Sequence, residues 1–522
     1  MALKAVAGAV LIVASAWLLN RFAQYQVTHW LSEHSGHALV MAATGDTPYR
    51  WNLRRPADIV AGRVFGAKDF SFSDDTLNIR SNGEPFEVGM PLLQAVDLQR
   101  FPRLRIDAEC DVPISVGVVV RQRLDSPQSD SAMTLVMPGR HTSAIDLSDL
   151  RWTGNLTPGA APQRAAMLRL RVELPRGHWL HLHMVALERI AGFQRLALAD
   201  VPHIVDSELQ ANADSIAVYR VPEDPGAPAL RAMGNRSDVH AAILLLLPQS
   251  GRVEQQLQLR DYILDAVPAA IPIPQGAFSA TFTLARAQNQ TEHSLLSVWP
   301  LRWIALGLYV LLLIATRLRP PSQLRARAFL EVALALIGPL WLIAGDNFTG
   351  SGDIWQHLLI GVSIVYAISL YRPRTWRWNG SVKAWLLAAA VVVAAACMAM
   401  AMHHSGDGLR AIDAGHVVRY LAWAVIQQYL ICAICTERWR IASGNAGVAV
   451  YLGALGFALL HTPNATLMLA TFCGGLCWCA LYLRERALLP LAASHAASAL
   501  LLITLLPPDI LRSAEVSARF FS

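Results

Sequence analysis

Charged side chains are scarce in this chain. Asp, Glu, Lys and Arg make up 16% of its 522 residues, whereas apolar residues make up 54%, and the mean hydropathy is +0.35. A composition this apolar excludes an ordinary soluble protein and indicates an integral membrane protein. The net charge of +6 does not predict a nucleic-acid partner, because the arginines gather at the ends of apolar segments, where membrane proteins place them.

Cysteine is also sparse. Between residues 25 and 296 the sequence has a single cysteine, Cys110, which excludes a disulfide within that part of the chain. The other cysteines lie in or beside apolar segments. Cys432 and Cys435 have the spacing of a redox or metal pair, but in an apolar helix we interpret them as small packing residues. An HExxH zinc motif is absent as well.

The first apolar run, AVAGAVLIVASAWLL, lies at 5–19 and follows Lys4. A cleaved signal peptide is one interpretation of such a run. No convincing small-x-small cleavage site follows it, because Asn20, Arg21 and Phe22 come directly afterwards. We therefore favour an uncleaved signal-anchor transmembrane helix over residues 1–24.

The next stretch has the composition of a soluble domain, which we place at 25–198. Apolar and polar residues alternate over 104–124 and 167–190, and proline and glycine turns interrupt at short intervals. This pattern is typical of a β-sandwich and vaguely resembles a jelly roll. A glycan or a protein is a candidate ligand, although the side chains that could line a sugar site are more simply interpreted as core or strand-face residues. They are Trp152, Trp179 and His181.

Between 199 and 296 the pattern changes. HAAILLLLP at 240–248 predicts a buried strand, the segment 253–267 has helical periodicity, and 271–285 returns to strand-like alternation. No nucleophile elbow, P-loop or dinucleotide fingerprint accompanies them. We predict a small α/β module.

Eight apolar segments in 297–522 predict an all-α bundle of about eight transmembrane helices. They lie at 301–317, 328–345, 354–371, 384–402, 416–434, 446–462, 465–483 and 488–506. If each segment crosses once, the four arginine-rich connections all lie on one side, which the positive-inside rule makes cytoplasmic. The predicted fold class is a multi-domain protein of the bacterial inner membrane, with a signal-anchor helix, an extracytoplasmic (periplasmic) β-sandwich and α/β module at 25–296, and the C-terminal bundle.

Polar side chains inside three of these segments are the strongest functional signal. Gln427 and Gln428 lie within one segment, His461 ends another, and His495 lies among small residues of a third. Intramembrane polar residues are costly and usually face a bundle interior or a cavity. Each has a structural interpretation, such as a hydrogen bond between helices. Because they occur on three neighbouring segments with little other polarity, we predict that they form one site.

The order of these elements resembles the CAAX-protease and bacteriocin-processing family of intramembrane proteases, the type II CAAX prenyl endopeptidase-like proteins. Phe457-Ala-Leu-Leu-His461 matches the family's Phe-x-x-x-His motif, and His495 matches the histidine of a later motif. The resemblance covers about 380–505. It implies an intramembrane endopeptidase in which a motif glutamate activates water beside the histidines.

The first motif of that family is altered in this chain. Where the family has paired glutamates and an arginine, this sequence has Gln427, Gln428 and Cys432, and Ala499 is the fourth residue after His495. A neutral amide cannot usefully take a proton from water near pH 7. The paired loss is chemically coherent, because an arginine without its glutamates would be a costly buried cation.

No other residue clearly replaces the missing carboxylates. Glu437 lies nine residues after Gln428, about 13 Å along a helix, and we expect it to form a solvated ion pair beside Arg438. Glu331 and Asp413 lie on other segments and stay open alternatives.

The leading hypothesis is an intramembrane endopeptidase that acts on a membrane-associated peptide or protein within the lipid bilayer. His461 or His495 would act as the base, and Gln427 and Gln428 would orient water or the substrate. No cofactor is predicted, although a divalent metal at the two histidines stays open. The alternative is a catalytically silent family member that binds or acts as a scaffold in envelope or polysaccharide assembly. A transporter is disfavoured, because inverted repeats are not apparent.

Overall fold

The computed structural model describes most of the chain. The residues that it describes are 2–44, 47, 49–92, 96–99, 101–122, 126–154, 161–189, 216–221, 242–248, 252–267, 270–291, 299–345, 354–370, 377–403, 414–507 and 510–521. Asp413, one of the carboxylates considered above, lies outside these residues.

Twelve helices are present in the described residues. They are α1 Ala2–Thr44, α2 Val253–Ala266, α3 Phe278–Thr291, α4 Trp299–Leu318, α5 Leu324–Leu340, α6 Ile354–Ser369, α7 Val382–Met402, α8 Ala414–Gln428, α9 Glu437–Ser443, α10 Ala446–Leu459, α11 Ala465–Glu485 and α12 Leu489–Leu505. Two π-helical segments continue α5 and α8, at Trp341–Gly345 and Tyr429–Thr436.

Seventeen strands are present in the same residues. They are β1 Arg50–Trp51, β2 Asp69–Ser73, β3 Thr76–Arg80, β4 Phe86–Met90, β5 Val96–Asp97, β6 Arg103–Cys110, β7 Ile114–Arg121, β8 Ser129–Ser131, β9 Thr134–Val136, β10 Gly139–Asp146, β11 Trp152–Gly154, β12 Arg164–Ala165, β13 Met167–Glu173, β14 Trp179–Glu188, β15 Ile216–Arg220, β16 Ala242–Leu247 and β17 Ala270–Pro274.

Helix α1 is much longer than the apolar run that predicts it. Its first half exposes apolar side chains such as Val10 and Trp17, as a lipid-facing helix does. The helix then runs through the boundary predicted at residue 24, because its second half carries an apolar stripe that packs against the module and the bundle. The stripe includes Val27, Trp30, Leu31 and Leu39.

The β-rich region is a sandwich of two antiparallel sheets. One sheet has the strand order β10-β6-β14-β3-β2, with β1 beside β14, and the other has the order β11-β8-β7-β13-β4, with β9 beside β7. Alternate residues of β6 and β13 are buried, and the two inner faces share one apolar core. The predicted β-rich region is confirmed, because a two-residue period buries one face of each strand.

The smaller module contains a parallel sheet of β15, β16 and β17 with the helices α2 and α3. The strand predicted at 240–248 and the helix predicted at 253–267 are both present. The strand-like interpretation of 271–285 is wrong beyond Pro274. From there Phe278, Phe282 and Ala285 repeat at helical spacing and are buried on one face of α3.

Helices occupy all eight segments predicted to cross the membrane. In the described residues, six helical segments are long and apolar enough to span: Val6–Val40, Leu301–Leu318, Leu324–Gly345, Val382–Met402, Val417–Ser443 and Ala465–Glu485. The helices α6, α10 and α12 are apolar but shorter, with 16, 14 and 17 residues. A membrane-capable helical region is therefore confirmed, whereas the number of spans and their orientation stay predictions.

Helix α10 packs closely against its neighbours at Gly453. A Cβ atom on this residue would lie 2.4 Å from Oγ1 of Thr436 and 3.1 Å from Sγ of Cys479. Thr436 ends the π-helical segment and Cys479 lies on α11. A residue without a side chain therefore allows three helical segments to meet.

We expect Gly453→Ala to lower the free energy of unfolding by about 1–3 kcal/mol, because the methyl group overpacks this contact. Gly307→Ala is the control, since a Cβ at Gly307 has nothing within 4 Å, and its helix propensity should improve slightly. Thermal unfolding in detergent measures both. Equal effects of the two substitutions would contradict the packing argument.

The module meets the bundle through a buried carboxylate, that of Glu254 at the start of α2. Glu254 is 0% exposed, and its Oε1 accepts a hydrogen bond from the backbone N–H of Thr466 at 2.9 Å. Oε2 has no hydrogen-bond partner among the described residues. Burial is the largest influence on this carboxyl and raises its pKa above the ordinary value, although the Thr466 bond opposes the shift.

The raised pKa of Glu254 predicts a pH dependence. Its contribution to stability is fully present below the ordinary carboxyl pKa and is lost as the pH rises through the raised value. We therefore expect Glu254→Gln, which keeps an acceptor without a charge, to be more stable than the wild type at neutral pH. The difference should shrink in acid. Thermal unfolding of both proteins in detergent, from acid to neutral pH, tests this expectation. A difference in stability between them that does not change with pH would refute the explanation.

Candidate functional site

The amide of Gln428 joins two of the segments that carry predicted site residues. Gln428 is 0% exposed and is the last residue of α8. Its Nε2 lies 3.3 Å from Nδ1 of His495 on α12, and its Oε1 accepts a hydrogen bond from the thiol of Cys432 at 3.1 Å. Both ends of the buried amide are therefore bonded, as a polar group in an apolar interior requires.

The orientation of the Gln428 amide, in which Oε1 accepts from the Cys432 thiol, assigns the tautomer of His495. The amide Nε2 of Gln428 can only donate, so Nδ1 of His495 accepts. In the neutral imidazole the proton is then on Nε2. His495 is 2% exposed, and its Nε2 is a hydrogen-bond donor that makes no bond to the described part of the chain.

The second histidine has the opposite arrangement. His461 lies in the turn after α10, and its Nδ1 is 2.8 Å from the carbonyl oxygen of Phe457. A carbonyl oxygen only accepts, so Nδ1 donates and the free lone pair of the neutral ring is on Nε2. His461 is 7% exposed. One histidine thus offers an acceptor where the other offers a donor.

Aromatic rings bring the two histidines into one cluster. The ring centroid of Phe457 is 4.9 Å from that of His461 and 5.4 Å from that of His495. Trp478 on α11 also contacts His495, at 4.8 Å between centroids. The apolar rings restrict both imidazoles. Phe457 is the first residue of the motif that predicted His461, so its place between the histidines follows from the same four-residue spacing.

Gln427 does not join this cluster. It is half-buried, and its side chain makes no hydrogen bond within the part of the chain that the structure describes. Successive residues of an α-helix point about 100° apart, so Gln427 and Gln428 do not share one direction. The structure therefore brings together three of the four predicted residues.

The helix that carries the glutamines changes character immediately after them. Tyr429–Thr436 is π-helical, and the hydroxyl of Thr436 donates to the carbonyl oxygen of Ile431, five residues earlier, at 2.8 Å. Such π-helical segments are rare and are frequent at functional sites. This one places the Cys432 thiol against the Gln428 amide.

The carboxylates considered as replacements are occupied by arginines. Glu437 forms ion pairs with Arg440 at 2.6 Å and Arg486 at 2.5 Å. Glu331 pairs with Arg438 at 3.0 Å and with Arg327. An ion pair of Glu437 is present, but the prediction that it is solvated is wrong, because Glu437 is only 7% exposed, and its partners do not include the neighbouring Arg438. Neither carboxylate contacts the histidine cluster in the hydrogen bonds and ion pairs of the described residues.

Within the described residues, no group of three or more His, Cys, Asp or Glu side chains has the geometry to hold a metal ion. Two histidines alone do not complete a zinc site. We therefore assign no chemical step to a metal.

One polar residue near the cluster was not predicted as part of the site. Ser498 follows His495 by three residues on α12, which places both on one side of that helix. It is 5% exposed, and its Oγ has no hydrogen-bond partner among the described residues. Its spacing from His495 was the available signal in the sequence.

The three residues considered for a sugar site are separated by the structure. Trp152 is 4% exposed, and its indole N–H donates to the carbonyl oxygen of Leu147 at 3.0 Å, so it is a core residue. Trp179 and His181 lie on β14 with parallel rings 6.3 Å apart. Only these two can contribute to a common surface.

The comparison with protein families supports the resemblance of the bundle. Residues 417–501 match the model of the family described as Rce1-like, type II CAAX prenyl endopeptidase Rce1-like. This segment extends from α8 into α12 and contains all four predicted site residues. The predicted family resemblance of the C-terminal part of the chain is confirmed.

The other comparisons add little. No curated protein matches the chain. A solved structure, the Glycosylation Associate Protein (Gap123) complex from Streptococcus agalactiae, matches 44% of this chain and 84% of its own chain, with 8% identity and a TM-score of 0.15. A similarity this weak carries no argument about fold or function.

The bonds of Gln428 predict a difference between the two neighbouring glutamines. We expect Gln428→Leu to lower the free energy of unfolding by about 1–2 kcal/mol, because buried groups on His495 and Cys432 lose their partner. Gln427→Leu should change it by less than about 0.5 kcal/mol. Thermal unfolding in detergent compares them. A larger loss at Gln427 would contradict this account of the cluster.

Proposed function

We propose that this protein is a membrane-embedded endopeptidase of the type II CAAX-like kind, acting on a membrane-associated peptide or protein. The observation that supports the proposal most is the pair of imidazoles with opposite tautomers on either side of Phe457. Hydrolysis of an amide needs a base for water and a donor for the oxygen that becomes negative. His461 and His495 can supply one each.

The proposed reaction uses no carboxylate. Nε2 of His461 takes a proton from water as the water oxygen attacks the scissile carbonyl carbon. The carbonyl oxygen becomes negative and is stabilised by the N–H of His495, whose ring is held by Gln428. When the intermediate collapses, the C–N bond breaks and His461 returns its proton to the leaving nitrogen. The neutral amide of Gln428 orients a histidine and is not itself the base.

The arrangement of charges supports an orientation for this site. Arg438, Arg440 and Arg486 lie at the end of the bundle where α10 begins and α11 ends, and the positive-inside rule makes that end cytoplasmic. His461 follows the opposite end of α10. The bond from Thr466 to Glu254 attaches the module to the end of the bundle where His461 lies. We therefore propose that residues 25–296 are extracytoplasmic, in the periplasm, and present substrates to the site.

A second candidate function is a silent relative that binds a membrane-associated peptide without cleaving it, for example as a scaffold in envelope or polysaccharide assembly. It is favoured by the bonding of Gln428, whose amide is hydrogen-bonded within the protein at both its nitrogen and its oxygen. The position at which the family resemblance implies a water-activating glutamate is thus neutral and internally bonded.

Cleavage of a library of membrane peptides tests the proposal. The protein is reconstituted in nanodiscs, and products are identified by mass spectrometry. We expect His461→Ala to reduce cleavage by about 10²–10⁴-fold, the usual contribution of a general base. His403→Ala is the control, because this histidine bonds the carbonyl oxygen of Leu505 outside the cluster. Cleavage that is absent from the wild type, or unaffected by His461→Ala, would refute the endopeptidase.

The same assay separates the two candidate functions. The triple variant Gln427→Glu, Gln428→Glu and Cys432→Arg restores the carboxylates together with the cation that balances them. Cleavage by the triple variant alone would support the silent relative. Cleavage by the wild type supports the enzyme, and the site of cleavage then defines the substrate.

A further inference from the structure

A segment after α12 crosses the end of the bundle where His461 lies. We name residues 510–521 the strap and residues 460–464 the histidine loop. The backbone N–H of Ser517 donates to the carbonyl oxygen of Thr462 at 2.8 Å. Nδ2 of Asn464 donates to the carbonyl oxygens of Ser513 at 2.7 Å and Glu515 at 3.3 Å. The strap therefore bonds Thr462 and Asn464, the two loop residues on either side of Pro463.

The strap is held as a specific structure and does not merely cover the loop. Ser517 is 1% exposed and has φ +56°, a backbone conformation that non-glycine residues adopt at a cost. Its hydroxyl donates to the carbonyl oxygen of Ile343 at 2.9 Å, at the π-helical end of α5. This one residue thus connects α5 to the histidine loop.

Both ends of the strap are bound to the α/β module. The guanidinium of Arg260 on α2 donates to the carbonyl oxygen of Phe521 at 2.8 Å. Asp261, the next residue of α2, pairs with Arg512 of the strap. Hydrogen bonds that involve a charged group are stronger than those between neutral groups. The bonds of Arg260 and Asp261 are therefore the main polar attachment of the strap to the module.

Aromatic packing completes this attachment. The ring of Phe521 stacks on Trp30 of α1, with centroids 4.0 Å apart and an interplanar angle of 1°. The guanidinium of Arg260 lies 5.4 Å from the Trp30 ring centroid. Phe520 and Phe521 are 0% and 2% exposed. The last residues of the strap, Phe520 and Phe521, therefore lie in one apolar core with the long helix, the module and the adjoining ends of α10 and α11.

We propose that the strap positions His461 and couples the histidine loop to the α/β module. A shift of α2 pulls on Arg512 and Phe521, and the strap transmits it through Ser513 and Ser517 to the backbone on which His461 is held. The site residues themselves do not contact the module in the described bonds. The role of His461 rests on the proposed function, whereas the mechanical coupling does not depend on it.

Hydrogen–deuterium exchange of the full chain in nanodiscs tests this coupling without a substrate. Arg512→Asp breaks the attachment to Asp261, and we expect amide exchange to become about tenfold faster in the strap and also in the histidine loop. Arg512→Lys keeps a cation opposite Asp261 and leaves the pair between Arg260 and Asp261 intact, so it should retain slow exchange in both segments. Arg484→Asp is the control, because its side chain is 64% exposed and pairs with Glu485 at the other end of the bundle.

A second variant tests the coupling from the opposite side. Asn464→Asp keeps the oxygen that caps α11 by accepting from Leu467 N–H at 3.0 Å, and aspartate is a good N-cap. It removes the donor to the strap and sets a carboxylate against two carbonyl oxygens. Since coupling is reciprocal, we expect faster exchange at 256–262 in α2, the part of that helix that holds the strap. These residues exclude Glu254, which bonds Thr466 directly.

The outcomes are decisive for the strap and independent of cleavage. Faster exchange in the strap with an unchanged histidine loop would overturn the coupling. So would Asn464→Asp that loosens the loop but leaves 256–262 of α2 unchanged, because coupling through the strap must also loosen the residues that hold Arg512 and Phe521. Loss of cleavage in the peptide assay with intact coupling would instead refute only the endopeptidase.

Discussion

The structure of the candidate site depends on one constraint, which is that a polar group removed from water must be bonded. Gln428 is fully buried, and its amide meets this requirement by joining Cys432 on its own helix to His495 on another. The bond sets the tautomer of His495 and holds α8 against α12. The Phe457 ring then fixes the second histidine beside the first. The chemical character of the cluster follows from a single neutral amide.

The same constraint accounts for the distribution of charge. Glu331 and Glu437, the two candidate carboxylates that the structure describes, are each paired with arginines near one end of the bundle. None of these pairs reaches the histidine cluster. In an apolar interior an ion pair requires both partners, since removing one leaves an uncompensated charge. The histidine cluster is neutral, and the charges lie in pairs at one end of the bundle, for the same reason: an unpaired charge in an apolar interior is costly.

Much of this arrangement could be predicted, and the exceptions have physical causes. Long apolar runs locate helices and alternation locates the sandwich strands, because burial selects those periods directly. Gln428, His461 and His495 could be grouped because polar residues stand out in apolar segments. The second half of α1 mixes polar and apolar residues, and its apolar stripe is recognised only when the module that packs against it is seen. The strap has no motif, since most of its hydrogen bonds use backbone carbonyl groups that any sequence provides. Which glutamine faces inward depends on the helical phase, and Gln427 and Gln428 are equivalent until that is known.

The neutral cluster also explains why two departures from the family pattern, Gln428 and Cys432, occur together. A carboxylate at position 428 beside Cys432 would be a buried anion whose nearest described partners are a thiol and an imidazole. An arginine at position 432 beside Gln428 would be a buried cation facing an amide. Either single change costs more than the double change, because each charge is compensated only by the other. The glutamine and the cysteine are therefore one substitution in energetic terms. A glutamate at position 428 without an arginine at position 432, or the reverse, would leave an unpaired buried charge, whereas here the Gln428 amide accepts a hydrogen bond from the Cys432 thiol.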